Sequence, residues 1–185
     1  MVPLTSLWLP ILLSAALVFV ASSIIHMVLP YHRTDFKRLP SEDQIMDALG
    51  RFNVPAGDYM MPFCQSPADM KTPEFQAKWK KGPRMLLTVW TAESMAMGPQ
   101  LAQWFTYTLV VSLFAGYVAS RSVGFGAAYL QVSQIASTTA FLGYAMSQWS
   151  SVIWYTRSAA AAAKTTFDGL VYGLLTGGVF GWLWP

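Results

Sequence analysis

The sequence predicts an all-helical integral membrane protein with four transmembrane helices and a small cytoplasmic segment, helical with some strand, between the first and second. Three observations lead there. Of 185 residues, 54% are hydrophobic and only 11% charged, against roughly 25% charged in an average soluble domain. Apolar stretches near or above the roughly 20 residues needed to cross a hydrocarbon core recur along the chain. Near the end, Gly169, Gly173, Gly177 and Gly181 repeat every fourth residue, so a helix carries them as a stripe of bare backbone suited to close helix packing in a bilayer.

The first transmembrane helix falls within residues 1–29. Leu4–Leu29 carries no Lys, Arg, Asp or Glu. No basic residue precedes it, which argues for an uncleaved anchor over a secretory signal. Pro10 and Pro30 frame the helix proper at about Pro10–Leu29.

Residues 30–99 form a polar cytoplasmic segment with nine of the twelve Lys/Arg and eight of the nine Asp/Glu. Ser41 with Gln44 has the spacing of a capping box, and Ile45, Met46 and Leu49 share one face before Gly50. Thr72-Pro73-Glu74 starts a second helix, with Phe75 and Trp79 on one face and Lys78, Lys80 and Lys81 in its last turn. Tyr59–Met61 and Arg84–Trp90 are expected as short, pairing strands.

Residues 100–185 hold the other three spans, at about 101–120, 127–155 and 166–184. Gly124–Gly126 is the expected turn between the first two, and residues 158–165 the expected link to the last. Trp149, Trp154 and Tyr155 mark one interface and Trp182 and Trp184 the other. Eleven Lys/Arg fall in the segment 30–99 and the link 157–165, against Arg121 alone in the remaining loop. The positive-inside bias therefore places both polar loops in the cytoplasm and both termini outside a cell (inner) membrane.

Chemistry is sparse. His26, at the end of the first helix, and Asp168, in the first turn or two of the fourth, are the ionisable groups nearest membrane depth. A contact between them is sterically open. The plainer expectation leaves both near the headgroups, Asp168 favoured by its helix start and His26 bonded to backbone or water. His26 and His32, together with Asp35, invite a metal reading, but the histidines are separated by Pro30, a spacing that does not put two imidazoles on one helical face, and a closed zinc site needs four ligands, so no metal is expected. A cofactor reading rests on His26 alone, through a pigment or haem shared within an assembly. On the third helix Gln131, Gln134, Thr138 and Gln148 fall near one face and read as hydrogen-bonding glue between helices. Phosphate-binding loops, nucleophile elbows and zinc-protease motifs are missing. The mixed charges give no footprint for nucleic acid. The lone Cys64 excludes an internal disulfide.

The runs His-Met-Val-Leu-Pro-Tyr-His-Arg-Thr-Asp-Phe and Thr-Phe-Asp-Gly-Leu-Val-Tyr, with the Gly-Trp-Leu-Trp-Pro ending, resemble small bacterial four-span membrane proteins of uncharacterised function. The resemblance implies a bacterial inner membrane and carries no site residue across. The expected role is that of a structural or accessory subunit, without a cofactor or enzymatic activity, partnered by the bilayer, by itself or by other membrane subunits. A small-solute channel or transporter is the alternative, and a membrane enzyme or cofactor-binding subunit using His26 the third choice.

Overall fold

In the computed structural model, which describes residues 1–91 and 96–185, the chain is mostly helical with one two-stranded sheet. The elements are α1 (Trp8–Ser23), α2 (Glu42–Gly50), β1 (Gly57–Met61), α3 (Pro73–Lys81), β2 (Met85–Val89), α4 (Met97–Ser122), α5 (Tyr129–Phe141), α6 (Gln148–Tyr155) and α7 (Ala159–Trp182). Among the described residues two helical stretches, Leu4–Val28 and Met97–Ser122, are long and apolar enough to cross a membrane. The chain divides into two compact units, Met1–Lys37 with Met97–Pro185, and Arg38–Ala96.

In the first unit α1 packs on α4 and α7, and α5 packs on α4 and α7. Short side chains allow the close approach. Ala15, Ala115, Ala119, Ala136 and Ala140 are fully buried, with Leu7, Val18, Val132 and Phe180 filling the remaining space. The buried serine and threonine hydroxyls are satisfied locally or across helices, whereas the buried Tyr144 and Tyr172 hydroxyls have no partner among the described residues. Ser14 bonds both the Pro10 carbonyl and Ser112 of α4, and the Trp104 indole donates to Ser22 of α1 at 2.7 Å. The outer surface is apolar instead, with Leu12, Val20, Val110, Phe114, Leu170 and Leu174 all exposed.

The glycine stripe lies against α5 of the same chain. A Cβ on Gly173 would come within 2.9 Å of the Ser137 carbonyl, and one on Gly177 within 2.5 Å of the Ser133 carbonyl. A Cβ on Gly181 would stand 2.6 Å from the Ser133 hydroxyl. Gly169 meets Ala145 in the same way, at 2.7 Å. The absent side chains let the two backbones touch, and Ser133 then donates its hydroxyl to the Gly177 carbonyl at 2.7 Å.

Several boundaries differ from those the sequence predicts. α1 begins before Pro10, because a proline in the first turn removes only a donor that has no helical partner. The expected third helix, 127–155, is interrupted by a π-helical turn at Leu142–Met146. There the Gly143 carbonyl accepts the Tyr107 hydroxyl at 2.6 Å. Thr156, in the left-handed region at φ 50°, ends α6. The expected link 158–165 is helix instead, since Ser158 caps α7 through the Ala161 amide and a run of alanines is the strongest intrinsic helix former. At the other end of this unit the Gly126 amide donates to the Pro185 carbonyl at 2.7 Å, and the Trp184 indole to that of Gly124 at 2.8 Å.

The second unit contains the two helices and the strand pair read from the sequence. β1 and β2 are antiparallel with Tyr59 opposite Leu87, and Thr88 bonds Asp58 across the pair. Thr72 caps α3 through the Phe75 amide, and Phe75 stacks on Trp79 with centroids 5.9 Å apart. Ser41 is not the cap expected of it. Its backbone is left-handed at φ 51° and its side chain makes no capping bond.

Candidate functional site

The most concentrated polar chemistry of the first unit lies where the end of α1 meets α7. Leu29 precedes a proline and is therefore pushed out of helical conformation, to φ −77° and ψ 137°. Just before it, Ile24–Val28 forms a π-helical turn carrying His26. Just after it, Pro30 starts a 3-10 turn over Tyr31–Thr34, closed by the Arg33 amide on the Pro30 carbonyl and the Asp35 amide on the His32 carbonyl. The two turns fold the chain back on itself. His32 stacks on His26 with centroids 4.4 Å apart and planes at 15°. The spacing argument against this histidine pair fails because residues 26 and 32 do not share one helix.

From α7, Lys164 and Asp168 stand four residues apart and so on one face. Asp168 is buried, with 1% of its surface exposed. It is not in the first turn or two of its helix. α7 starts at Ala159, so Asp168 lies in the third turn, beyond the reach of the positive helix end, which fades within one turn. Its stabilisation comes from side chains. The Tyr31 hydroxyl donates to Oδ1, and His32 Nε2 lies 2.8 Å from Oδ2.

His32 is bracketed by a second carboxylate, with Nδ1 2.6 Å from Asp35 Oδ2. Both ring nitrogens of His32 are thus engaged by carboxylate oxygens, one from its own turn and one from α7. Lys164 completes the group by donating to the Tyr31 carbonyl at 2.5 Å, Thr34 Oγ1 at 2.8 Å and Asp35 Oδ1 at 2.7 Å. The two carboxylates thus face the Lys164 ammonium and the hydrogen-bonding His32 ring, which is how charge with little solvent contact is kept tolerable. The Lys164 ammonium, then His32, hold the Asp35 carboxyl below the usual carboxylate range. Burial, reinforced by Asp168, pushes the Tyr31 phenol above its ordinary value.

His26 takes no part in that charge balance. Its Nδ1 lies 3.1 Å from the Ser22 carbonyl, which only accepts, so Nδ1 carries the hydrogen of that bond. His26, His32 and Asp168 each offer one ligand atom, and these atoms lie within 4.8 Å of one another. A two-imidazole, one-carboxylate set is a donor combination used by first-row transition metals. On the inner side of the cluster Tyr172, one turn beyond Asp168, belongs to a packed aromatic group with Trp104 and Tyr144.

Family models, curated proteins and solved structures yield no match to the chain. The site is therefore read from its own geometry.

The other singled-out residues do not join it. Gln131, Gln134, Thr138 and Gln148 are exposed on the outside of the helical unit, and the interhelical bond expected of them is made by Ser133 instead. Being α5's outer face, Gln134 and Thr138 border an open groove of about 450 Å³ between α5 and α7, lined also by Tyr129, Phe141, Leu170 and Leu174. Gly173, Gly177 and Gly181 serve packing of α7 on α5, and Gly169 serves its packing on the π-helical turn at Leu142–Met146. Sequence reasoning missed Tyr31 and His32 as partners of Asp168, and Asp35 and Lys164 as the groups that hold them. The available signal was the pairing of Lys164 with Asp168 on one helical face, opposite a turn whose residues are all hydrogen-bonding.

Proposed function

We propose that the chain crosses a bacterial inner membrane four times and serves as a structural or accessory subunit, associating with copies of itself or within a larger membrane complex. Its apolar exterior and small, hydroxyl-rich interior support the membrane setting, because a soluble bundle distributes these residues the other way round. The meeting of Gly124–Gly126 with Trp184 and Pro185 at one end, and of residues 26–35 with Lys164 at the other, is the pattern expected of an even number of crossings. Positive-inside counting then orients the cytoplasmic segment.

The accessory role is carried by one observation. Gln131, Gln134 and Thr138 are exposed on α5, the last two beside the α5–α7 groove, and in the proposed bilayer such polar groups facing lipid favour a partner helix that can bond them. A channel within one chain would need these side chains to line its interior, so the channel reading requires several copies. The test is the mass of the gently solubilised full chain. Particles larger than one chain are expected, and Gln131→Leu with Gln134→Leu should release single chains that keep their helicity. A wild-type particle of one chain that conducts solute in vesicles would refute the accessory role.

A further inference from the structure

We propose that His26, His32 and Asp168 form a three-ligand site for a first-row divalent transition metal, of which Zn²⁺ fits the donors best. The argument lies in how each ligand is held. Metal-bound histidines commonly donate their second ring hydrogen to a carboxylate or a backbone carbonyl, which fixes the ring and its tautomer. Both arrangements are present here. His32 Nδ1 faces Asp35 Oδ2 at 2.6 Å, and His26 Nδ1 faces the Ser22 carbonyl at 3.1 Å. Each ring is thereby committed to ligation through Nε2. Asp168 is held likewise, its Oδ1 engaged by Tyr31 and its Oδ2 directed to His32 Nε2.

A salt bridge alone explains His32 and Asp168 but leaves His26 without a task. The His26 ring lies stacked on His32, although its only hydrogen bond among the described residues is to its own helix. A metal gives all three groups one. On binding, M²⁺ takes the place of the hydrogen between His32 Nε2 and Asp168 Oδ2, that proton leaves to solvent, and His26 Nε2 closes the third position. Two imidazoles and a carboxylate without thiolate suit Zn²⁺ and its neighbours rather than Cu⁺, Ca²⁺ or Mg²⁺. Three protein ligands leave a coordination position open to water or a further ligand.

The test uses the full chain, solubilised in detergent with any affinity tag removed, stripped with a chelator and equilibrated with Zn²⁺. One Zn²⁺ per chain is expected. His26→Ala removes a ligand while sparing the bonds among His32, Asp168, Asp35 and Lys164, so it should keep its helical circular dichroism yet lose at least tenfold in Zn²⁺ affinity. Asp35→Asn, which weakens the support of His32 and also removes the charge paired with Lys164, should lose roughly 10- to 100-fold. Co²⁺ in place of Zn²⁺ should give the visible absorption of a nitrogen- and oxygen-ligated ion in wild type and not in His26→Ala. Wild-type protein that retains no Zn²⁺, or a His26→Ala variant that binds as tightly as wild type, would overturn the assignment.

Discussion

Gly177 and Gly178 are neighbours in one helix, and they should respond in opposite directions to the same substitution. A Cβ at Gly177 would lie 1.9 Å from Ser137 Oγ and 2.5 Å from the Ser133 carbonyl. The Ser137 hydroxyl can rotate away, but the Ser133 carbonyl can move only with the backbone of α5. A Cβ at Gly178 meets only the Tyr129 hydroxyl, at an ordinary 3.7 Å. Replacing either glycine by alanine brings the same gain in helix propensity, up to about 1 kcal/mol. The difference between the two variants therefore isolates the overpacking, about 1–3 kcal/mol for a crowded core position. Net, Gly177→Ala should be about 0–2 kcal/mol less stable than wild type, with Gly178→Ala equal to it or slightly more stable. The assay is reversible unfolding in mixed micelles of mild and denaturing detergent, followed by helical circular dichroism. A Gly177→Ala midpoint at or above that of Gly178→Ala would refute the packing of the stripe on α5. A Gly177→Ala protein that stayed equally stable but changed its oligomeric state would instead show the stripe facing another subunit.

Three more outcomes can be checked. Asp168→Ala leaves the partly buried His32 without one carboxylate and Tyr31 without its acceptor, and should cost on the order of 3 kcal/mol in the same unfolding assay; a change below the scatter of the measurement would show that the cluster does not tie α1 to α7. Asp35 has a depressed folded pKa caused first by Lys164 and then by His32, so its stabilisation is complete above the ordinary carboxylate range and is lost as pH falls through the folded value. Acidification below about pH 4 should therefore destabilise wild type more than Asp35→Asn, and parallel acid profiles would contradict this. Cys64 is the only cysteine and is partly accessible. A membrane-impermeant thiol reagent should label it only after cells are permeabilised, whereas labelling of intact cells would invert the proposed orientation.

The helices were legible wherever one local rule governed them. Thr72-Pro73-Glu74 contains a cap, a first-turn proline and an early acid in three consecutive residues, and α3 starts there. The boundaries of α7 were misread because the rule applied was absence of charge. Lys164 sets residues 159–165 apart from an uncharged span, yet a span and a helix are different things. Five alanines behind a capping serine form helix whether or not a bilayer surrounds them. The polar residues of α5 were legible as a face but not as facing outward, since periodicity fixes which residues go together and not which way they point. The glycine stripe decided that orientation. α5 turns Ser133 and Ser137 toward Gly177, which puts Gln134 and Thr138 at the surface.

The histidine cluster shows why a site can be hidden from spacing arguments. Residues 26 and 32 would lie on different sides of a continuous helix, and their approach depends on Pro30 breaking it. On spacing rules Pro30 only terminates α1. Its other consequence is the extended Leu29, which, between a π turn and a 3-10 turn, reverses the chain within a few residues and lays His32 on His26. The partner from α7 was harder to foresee because Asp168 is far away in sequence and its depth depended on where α7 begins. Starting the helix at Ala159 moves Asp168 inward by two turns and puts Lys164 at the rim, 25% exposed. The ammonium then holds Asp35, Asp35 holds His32, and His32 meets Asp168. A single extra residue between Lys164 and Asp168 would rotate the carboxylate by about 100° around α7 and leave the cationic and ligating groups on different faces. The four-residue spacing on α7 is therefore the sequence feature on which the whole cluster depends.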